Sequence, residues 1–457
     1  MWRLIYIVYA INLTFSYGNL AYAEIDESLF DLSLQELLDL RVTGSTLTEQ
    51  TISSAPSAVT VFDAAFISSL GVDYLHELLN YVAGFQSQRS ADAPNAYGYS
   101  ARGRRNGNQS KEILMLVDGQ VFNDPRTGAA NGALRMFSVQ QIERIEIIRG
   151  PGSALYGSGA YGGVINITTR KQVNKWQLQA GQQDRLAVSG SFYKPFNNWQ
   201  LNLFAGYHED QGEKYQLDDN FNTDQSVTLT TQDPMTKSDL QVTLNDPATT
   251  LGYLYHNTRS EDFYSLEALS NGFNANQTRM QMLYGKQVFS LGEDVNLYLS
   301  LSLTQVDQHI DAQATAPGAL AANSSPSSND ALFLKAYLKS RGLRFSWHND
   351  WQYRQNMSIQ FGVNWLANDE VISEAANNFN ATQLSNNQFP IDYYGDFSNV
   401  SRADHQALQK VFGFYGQSII QGDDANQFNL GLRFDRNLLK QSHLSPRVGW
   451  VHQIDDQ

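Results

Sequence analysis

The sequence contains no cysteine, and its charged residues are few and biased toward one sign. The absence of cysteine excludes disulfides, thiolate catalysis and cysteine-ligated zinc. Acidic residues outnumber basic ones by 46 to 32, and the formal net charge of −14 argues against a nucleic-acid partner. The chain also shows no carboxylate pair or triad of catalytic type, so we expect no enzyme.

Long apolar runs are absent after the first two dozen residues. Those first residues resemble a secretory signal peptide, because Arg3 precedes an apolar run that ends at the A-x-A site Ala21-Tyr22-Ala23. The mature chain is then expected to begin near Glu24. A membrane anchor is the alternative, but polar residues interrupt the run before the ~20 apolar residues that a spanning helix needs.

A glycine-rich stretch between two β-branched segments, Ile142–Ile148 and Val164–Thr169, has two incompatible interpretations. Gly157–Gly162 matches G-x-G-x-x-G, which binds a dinucleotide only when a strand precedes it and a helix follows. The residues that follow, Gly163–Thr169, favour a strand. The nucleotide-binding interpretation is therefore disfavoured, and a pair of strands joined by a glycine loop is expected.

From about residue 175 to the end, short segments alternate between apolar and polar residues. A period of two with one apolar and one polar face is what a membrane barrel requires, with lipid outside and water inside. A soluble β-sandwich alternates too, but several of these runs reach nine or ten residues. The clearest cases are Trp199–His208, Val295–Thr304, Ile359–Trp365 and Gln427–Asp435.

The linkers between these segments alternate in length, and about twelve strands can be counted. Short linkers are predicted near Pro195–Asn198, Asp246–Ala248, Ser290–Glu293, Arg354–Met357 and Gly422–Ala425. Long linkers are predicted at Glu209–Thr236, Arg259–Ala275, Asp307–Asp330 and Asn368–Gln406, with shorter outer ones at Gly181–Asp184 and Asn437–Leu444. Outer-membrane barrels show this parity, with tight periplasmic turns and longer extracellular loops.

The N-terminal region, from Glu24 to about Lys171, lacks this regular alternation. Its residue pattern predicts a small mixed α+β domain. Leu29–Leu40 and Phe66–Tyr81 show helical spacing, and Ile113–Val117 predicts a strand. Asp118-Gly119 is expected to form a two-residue hairpin turn, because both positions tolerate positive φ.

These residues resemble the TonB-dependent outer-membrane receptors. The motifs that carry the resemblance are Ala55–Val61, Leu78–Phe85, Leu116–Gly119 and Ile145–Ile167, with Leu444–Arg447 in the second half. The family consists of membrane β-barrels of about 22 antiparallel strands, each with an α+β plug in the lumen. The resemblance implies the outer membrane of a Gram-negative bacterium and uptake of a ferric siderophore, cobalamin or haem. It implies organisation as signal peptide 1–23, periplasmic segment 24–50, plug 51–171 and partial barrel 172–457.

The resemblance also implies partners and site residues. TonB, the inner-membrane energising partner, would pair as an added β-strand with Leu40, Arg41, Val42, Thr43 and Gly44; an ordinary linker strand is the alternative. Ligand contacts are expected in two plug loops, at Arg89, Asn95, Tyr97, Tyr99, Asn123, Arg126 and Thr127. Arg102 and Arg149 are expected to pair with barrel carboxylates and seat the plug. No resident cofactor is expected, apart from a calcium ion that Asp218, Asp219 and Asp224 could hold as oxygen ligands.

Only about twelve strands are present, and so few would enclose too narrow a lumen for this plug. A truncated sequence is therefore expected, and a non-functional fragment of such a receptor is an alternative function. A passive porin or surface-binding protein is a second alternative, although a porin would lack the plug.

Overall fold

The structure is a computed structural model. It describes residues 41–42, 50–51, 57–89, 97–101, 103, 111–130, 137–152, 156–219, 227–263, 272–423, 425–438 and 441–453. The predicted signal peptide and the predicted helix Leu29–Leu40 lie outside these ranges. Within them, no helix has the length and apolarity needed to cross a bilayer.

The N-terminal half folds around a five-stranded mixed sheet. Its strands, in spatial order, are β3 (Ala58–Asp63), β8 (Ile142–Arg149), β9 (Gly163–Thr169), β6 (Ile113–Val117) and β7 (Gln120–Val121). β9 runs parallel to β6 and antiparallel to β8. Two pairs lie apart from this sheet, β1 (Arg41–Val42) with β2 (Gln50–Thr51) and β4 (Phe85–Arg89) with β5 (Tyr97–Ala101). All five residues of β6 are buried, as its unbroken apolar run predicts.

The predicted helix Phe66–Tyr81 is wrong as a single element. Helix α1 (Ala64–Leu70) begins at the N-cap Asp63 and ends at Gly71, whose φ of 64° is left-handed. A second helix, α2 (Leu75–Leu78), continues into a 3-10 turn, Leu79–Tyr81. Helical spacing of the apolar residues survives the break, which is why the pattern suggested one helix.

The glycine loop joins two strands, as predicted. The strand β9 follows it directly, so no helix N-terminus faces the loop and the dinucleotide-binding interpretation fails. The hairpin turn at Asp118-Gly119 is also confirmed, with φ of 49° and 79° between β6 and β7.

The C-terminal half is a single antiparallel sheet of twelve strands, which confirms the predicted number. Strand follows strand in chain order: β10 (Lys175–Ala180), β11 (Leu186–Phe196), β12 (Trp199–Asp210), β15 (Met235–Asn245), β16 (Thr249–Glu261), β17 (Ala275–Ser290), β18 (Val295–Thr315), β20 (Leu332–Arg354), β21 (Met357–Asn377), β23 (Asn399–Gln421), β24 (Asn426–Asn437) and β25 (Ser442–His452).

The two faces of this sheet differ as the alternation predicts. On β24, for example, Phe428, Leu430 and Leu432 are exposed on the convex face. Gln427, Asn429 and Arg433 alternate with them and are buried on the concave face. The sheet therefore presents its apolar side chains outward, where a membrane barrel meets lipid.

The predicted short turns all lie between consecutive strands, but two of the predicted long linkers are too long. β18 continues to Thr315 and β21 to Asn377, while β23 already begins at Asn399. The intervening segments form their own structure: β13 (Tyr215–Asp219) pairs with β14 (Val227–Thr231), and β19 (Ser324–Ser325) pairs with β22 (Ile391–Asp392) near helix α3 (Ala381–Ser385). Beyond the lipid, strands need no apolar face, so the alternation stops before the hydrogen bonding does.

The plug lies against the concave face of the sheet and shares its apolar core with it. Five inward-facing residues of β16, β17 and β18 join the plug's core cluster; we call them the docking patch. They are Leu254, Met280, Met282, Tyr284 and Val306. Residues 170–174 connect β9 of the plug to β10 of the sheet.

Candidate functional site

The candidate functional site is the interface between plug and wall, and it begins at the end of the sheet that carries the long loops. There the β10–β11 turn supplies Arg185, which forms an ion pair with Asp73 of the plug. Beside it, Tyr74 Oη lies 2.9 Å from His208 Nε2 on β12. The same hydroxyl lies 3.4 Å from Asp210 Oδ2. These contacts fasten the loop before α2 to the first strands of the wall.

A buried cluster around Asp239 forms the second connection. Ser138 Oγ of the plug donates to Asp239 Oδ2 at 2.5 Å, and His256 Nδ1 lies 2.6 Å from Oδ1. Lys237 Nζ lies 3.7 Å from the same carboxylate. Asp239, His256 and Lys237 are each at most 3% exposed in their side chains, so this carboxylate is desolvated and compensated from three sides.

The Asp118 turn forms a third connection, at the end with short turns. Asp118 Oδ2 accepts from Thr169 Oγ1 at 2.7 Å, and Gln241 Nε2 on β15 donates to Thr169 Oγ1 at 2.8 Å. Lys171 Nζ lies 3.9 Å from Asp118 Oδ1. The hairpin turn predicted from Asp118-Gly119 therefore also ties the last plug strand to the wall.

The plug loop at 122–130 is held by hydrogen bonds of its own side chains, among them Asn123. Asn123 is 4% exposed. Its Oδ1 accepts from Met115 N, and its Nδ2 donates to the carbonyls of Ile113 and Gly128. Both ends of the amide form hydrogen bonds within the plug, so Asn123 braces the loop, and its contact with a ligand stays a prediction.

Arg126 joins plug to wall, which is the role predicted for Arg102 and Arg149, and its predicted ligand contact stays a prediction. Its Nε donates to Glu370 Oε1 on β21 at 2.8 Å, where the side chains are 35% and 10% exposed. Thr127 caps the same turn by accepting from Ala129 N at 3.2 Å. Thr127 also lines the cavity described below, and its predicted ligand contact stays a prediction.

Asp124 anchors this loop electrostatically. Burial raises its pKa, against the opposing effects of the hydrogen bond from Arg126 N and the Arg126 charge. Ser340 Oγ on β20 approaches its carboxylate at 3.4 Å. Next to it, Pro125 packs over Gly342, where an added Cβ would lie 3.1 Å from the proline ring.

Of the two arginines predicted to seat the plug, Arg102 lies outside the described residues. Arg149 Nη1 lies 3.4 Å from the carbonyl oxygen of Ala83, a contact inside the plug. Pairing of either arginine with a barrel carboxylate stays a prediction.

The glycine loop meets the wall at Gly157. Its φ is 79°, and a Cβ there would lie 3.1–3.2 Å from the guanidinium of Arg433 on β24. Arg433 in turn forms two hydrogen bonds of 2.7 Å with Asp435 and one of 3.0 Å with Asn364. The glycine thus brings plug backbone onto a charged group of the wall, a role that the nucleotide-like motif concealed.

A cavity of about 920 Å³ separates the plug from β17–β24. Its plug side includes Leu114, Leu116 and Val121, and its wall side includes Arg344, Lys286 and Arg433. This volume is in the range of sites that hold small molecules. Tyr298, His348 and Tyr415 add aromatic groups on the wall side.

The remaining predicted residues are only partly described. Asn95, Asp224, Leu40, Thr43 and Gly44 lie outside the described residues. Arg89, Tyr97 and Tyr99 belong to the β4–β5 hairpin, Asp218 and Asp219 to β13, and Arg41 and Val42 to β1. In the described part of the chain no cluster of three acidic or histidine residues could hold a metal, and the calcium prediction, which needs Asp224, is not tested by this.

Sequence reasoning missed two features of the wall. It treated the inner face as uniformly polar and so overlooked the docking patch. It also overlooked tyrosines that lie over glycines of the neighbouring strand: Tyr284 over Gly252 and Tyr415 over Gly362. The available signal was a glycine and a tyrosine directly opposite each other on neighbouring antiparallel strands.

Comparison with known proteins places this geometry in a family. Residues 51–164 match the family model described as "TonB-dependent Receptor Plug Domain". A vitamin B12 transporter of Vibrio vulnificus is 32% identical over 169 residues, 36% of this chain and 27% of the relative. A probable TonB-dependent siderophore receptor of Acinetobacter baumannii is 23% identical over 407 residues, 79% of this chain and 52% of the relative.

A solved structure shows the same fold. The pyoverdine outer-membrane receptor of Pseudomonas aeruginosa superimposes with a TM-score of 0.64 at 15% identity, covering 91% of this chain and 63% of that one. The chain thus spans only part of the length of the proteins it matches. Residues 51–164 thus belong to the plug-domain family of the TonB-dependent receptors, and they lie against a twelve-stranded antiparallel sheet, apolar outside and polar inside, in the fold of the outer-membrane receptor that the chain resembles.

Proposed function

We propose that this chain supplies the plug and part of the barrel of an active uptake receptor for a scarce small ligand, a ferric siderophore or cobalamin. The support for the ligand class is the pair of relatives named for vitamin B12 and for a siderophore. Neither name favours one ligand for this chain, because the first alignment covers only 36% of the chain and the second is only 23% identical.

The observation that carries the proposal is the way the plug is seated. One flank is fixed by the docking patch and by the buried Ser138–Asp239 contact. Burying each large apolar side chain stabilises such an interface by roughly 1.5–3 kcal/mol. A plug bound to the wall by these contacts blocks passive diffusion of the kind that a porin allows. Moving the plug to let a ligand pass therefore requires energy supplied from outside the receptor.

TonB of the inner membrane is the proposed source of that work. Arg41–Val42 is extended and pairs with Gln50–Thr51 through backbone hydrogen bonds. A short strand of this kind can pair with a partner strand by main-chain hydrogen bonds. Leu40–Gly44 is the proposed contact segment.

The test is uptake by cells that produce the receptor and lack their own. Radiolabelled ferric siderophore or cobalamin should accumulate in the periplasm, and the accumulation should stop when TonB is deleted. Deleting Leu40–Gly44 should abolish uptake while surface binding persists. The matched control deletes the neighbouring polar segment Ser45–Glu49 and should retain uptake.

Uptake that is unchanged without Leu40–Gly44 would overturn the TonB assignment. Binding without any uptake would favour a surface-binding protein, and the absence of both would favour a non-functional fragment.

Ligand contact in two loops of the plug is part of the same proposal, and the residues concerned are Arg89, Asn95, Tyr97, Tyr99, Asn123, Arg126 and Thr127. Calcium binding by Asp218, Asp219 and Asp224 is proposed separately. Calorimetry with Ca²⁺ that shows no binding would remove it.

A further inference from the structure

The five-stranded sheet of the plug carries apolar side chains on both of its faces, and they belong to two separate core clusters. Side chains alternate between the two faces of a strand, so neighbours along β6 and β9 divide between the two clusters. We call the first set the docked face, and it consists of Met115, Val117, Ile165 and Ile167. We call the second set the cavity face, and it consists of Leu114, Leu116, Ile148 and Val164. The two faces meet the wall in different ways.

The docked face packs directly against the wall. It shares its core cluster with the docking patch, of which no member is more than 5% exposed. Phe122 and Phe137 of the plug extend the contact to His256 on β16, whose ring centroid lies 5.3 and 5.5 Å from theirs. Ser138 adds its hydrogen bond to the buried Asp239 on β15. This flank therefore combines continuous dispersion contacts with a hydrogen bond to a charged group.

The cavity face is connected to the wall by loops. In the part of the chain that the structure describes, no residue of β20–β25 belongs to either core cluster. The cavity of about 920 Å³ lies on this side, and plug loops reach the wall around it. Two of these contacts are the partly exposed pair of Arg126 with Glu370 and the approach of Gly157 to Arg433. Atoms that face a gap lose dispersion contacts, and solvent weakens an exposed ion pair, so this flank is held less strongly.

The covalent connection between plug and wall lies on the docked side as well. Residues 170–174 follow β9, and Thr169 at the end of β9 accepts a hydrogen bond from Gln241 on β15. A load on the N-terminal segment therefore meets an apolar interface and a chain connection on one flank, and loop contacts on the other. When two interfaces share one load, the weaker interface separates first.

We propose that the plug stays docked on β15–β18 during uptake and separates from β20–β24, so that the passage for the cargo forms beside the cavity face. The inference rests on the proposed function, because it names the side of the plug on which a TonB-driven passage forms. It excludes release of the plug as one rigid body. It also makes the docking patch a hinge that persists while the cargo passes.

Disulfides that lock one flank at a time test the proposal. The sequence has no cysteine, so two introduced cysteines form the intended bond in the oxidising periplasm without competition from native thiols. Pro125→Cys with Gly342→Cys locks the cavity side to β20. Cβ of Pro125 lies 3.2 Å from the position of a Cβ added at Gly342, which is close to the spacing across a disulfide.

The docked side is locked to β15 by Ser138→Cys with Asp239→Cys, whose side chains are hydrogen-bonded in the native protein. Thr169→Cys with Gln241→Cys is a second lock on this side, and it keeps the carboxylate of Asp239. It serves if the first pair prevents folding. The reduced form of each pair is the matched control for its two substitutions.

Uptake of radiolabelled cobalamin or ferric siderophore by the producing cells is measured before and after reduction of each disulfide. The oxidised cavity-side lock should lose TonB-dependent uptake and regain it on reduction. The oxidised docked-side lock should transport as well as its reduced form. Uptake through an oxidised cavity-side lock, or loss of uptake in an oxidised docked-side lock, would overturn the one-sided opening.

A second measurement needs neither TonB nor cargo. Force is applied to the N-terminal segment of the purified receptor in a single-molecule experiment. The cavity-side disulfide should raise the force at which the plug first yields, and the docked-side disulfide should leave that force unchanged. A receptor without uptake that shows this difference refutes the proposed function only. A receptor with TonB-dependent uptake that the docked-side disulfide blocks refutes the one-sided opening only.

Discussion

Nε of Arg126, on the plug loop, lies 2.8 Å from Oε1 of Glu370, on the barrel wall. The two residues are 244 positions apart in the chain, and the carboxylate side is the more deeply buried of the two. Removing the cation leaves a desolvated carboxylate behind, which is the costly half of a buried pair.

Arg126→Gln should loosen the plug loop by about 2 kcal/mol, a value for a pair that is partly solvent-screened. Glu370→Gln should act similarly, and the double variant should cost less than the sum. Hydrogen exchange of the backbone amides at 122–130 measures the effect. Arg402→Gln is the control, because its pairs with Glu374 and Asp404 are exposed and should contribute little. Strict additivity of the two changes would contradict the pairing.

The glycines beneath the wall tyrosines should resist substitution in different ways. The three atoms nearest to a Cβ at Gly252 all belong to the Tyr284 side chain, whereas a Cβ at Gly362 would overlap the backbone oxygen of Trp347 as well as the Tyr415 side chain. Gly252→Ala should therefore destabilise by about 3 kcal/mol or more, and Tyr284→Leu should partly rescue it. Gly362→Ala should not be rescued by Tyr415→Leu.

The thermal midpoint of barrel unfolding in detergent measures these effects. Gly285→Ala, on the neighbouring strand β17, provides the control, since the nearest atom to its added Cβ would lie at 3.4 Å. An equal loss of stability at Gly285 and Gly252 would show that the overlap with Tyr284 is not the cause.

Ser138→Ala should weaken the local contact between plug and wall without unfolding the wall. Asp239 loses one donor but keeps His256 at 2.6 Å and Lys237 at 3.7 Å. The expected cost is about 2 kcal/mol, as for a hydrogen bond to a charged group. It should be visible as faster amide exchange at 137–141 with an unchanged barrel midpoint. Asp239→Ala should be worse, at about 4 kcal/mol, because the buried Lys237 then loses its carboxylate. Ser69→Ala, on the exposed face of α1, is the control.

The plug loop should become less stable as the pH rises from acid toward neutral. Burial raises the pKa of Asp124 above the unfolded value of about 3.9. A raised pKa gives a stabilising contribution that is complete below the unfolded pKa and is lost as the pH rises through the folded pKa. Asp124→Asn keeps an acceptor for Arg126 N and removes the titration, so exchange at 122–130, corrected for intrinsic rates, should lose this pH dependence. Identical profiles for the two proteins would exclude Asp124 as the cause.

The sequence predicts the strands better than it predicts their contacts. Alternation on β12 and β24 follows from lipid on one side and water on the other, so Leu432 and Arg433 point to opposite faces as expected. It fails on β23, whose first nine residues are exposed on both faces, because no lipid constrains them there. Gly71 in the sequence could have indicated the end of the first helix. The apolar residues keep helical spacing on both sides of Gly71, so the pattern suggested one helix.

The site was harder to predict because its residues meet only in three dimensions. Arg126 and Glu370 carry no mutual signal along the chain, so the sequence assigned Arg126 to the ligand. The sequence likewise assigned Asn123 to the ligand and gave no sign that its amide forms hydrogen bonds with three neighbours within the plug. The docking patch was missed since Met280 and Met282 interrupt an otherwise polar inner face, and only the presence of the plug explains them.

The connection between plug and wall at residues 170–174 sets a mechanical limit. Five residues, fully extended, reach at most roughly 18 Å, and Gln172 N is also held by Asn202 Oδ1 at 2.7 Å. A pulling force on the N-terminal segment can therefore tilt or partly unfold the plug. The end of β9 remains within that distance of β10, the first strand of the wall. We expect the plug to move least near residues 170–174. We expect it to move most on the opposite side, where Gly157 of the glycine loop contacts Arg433.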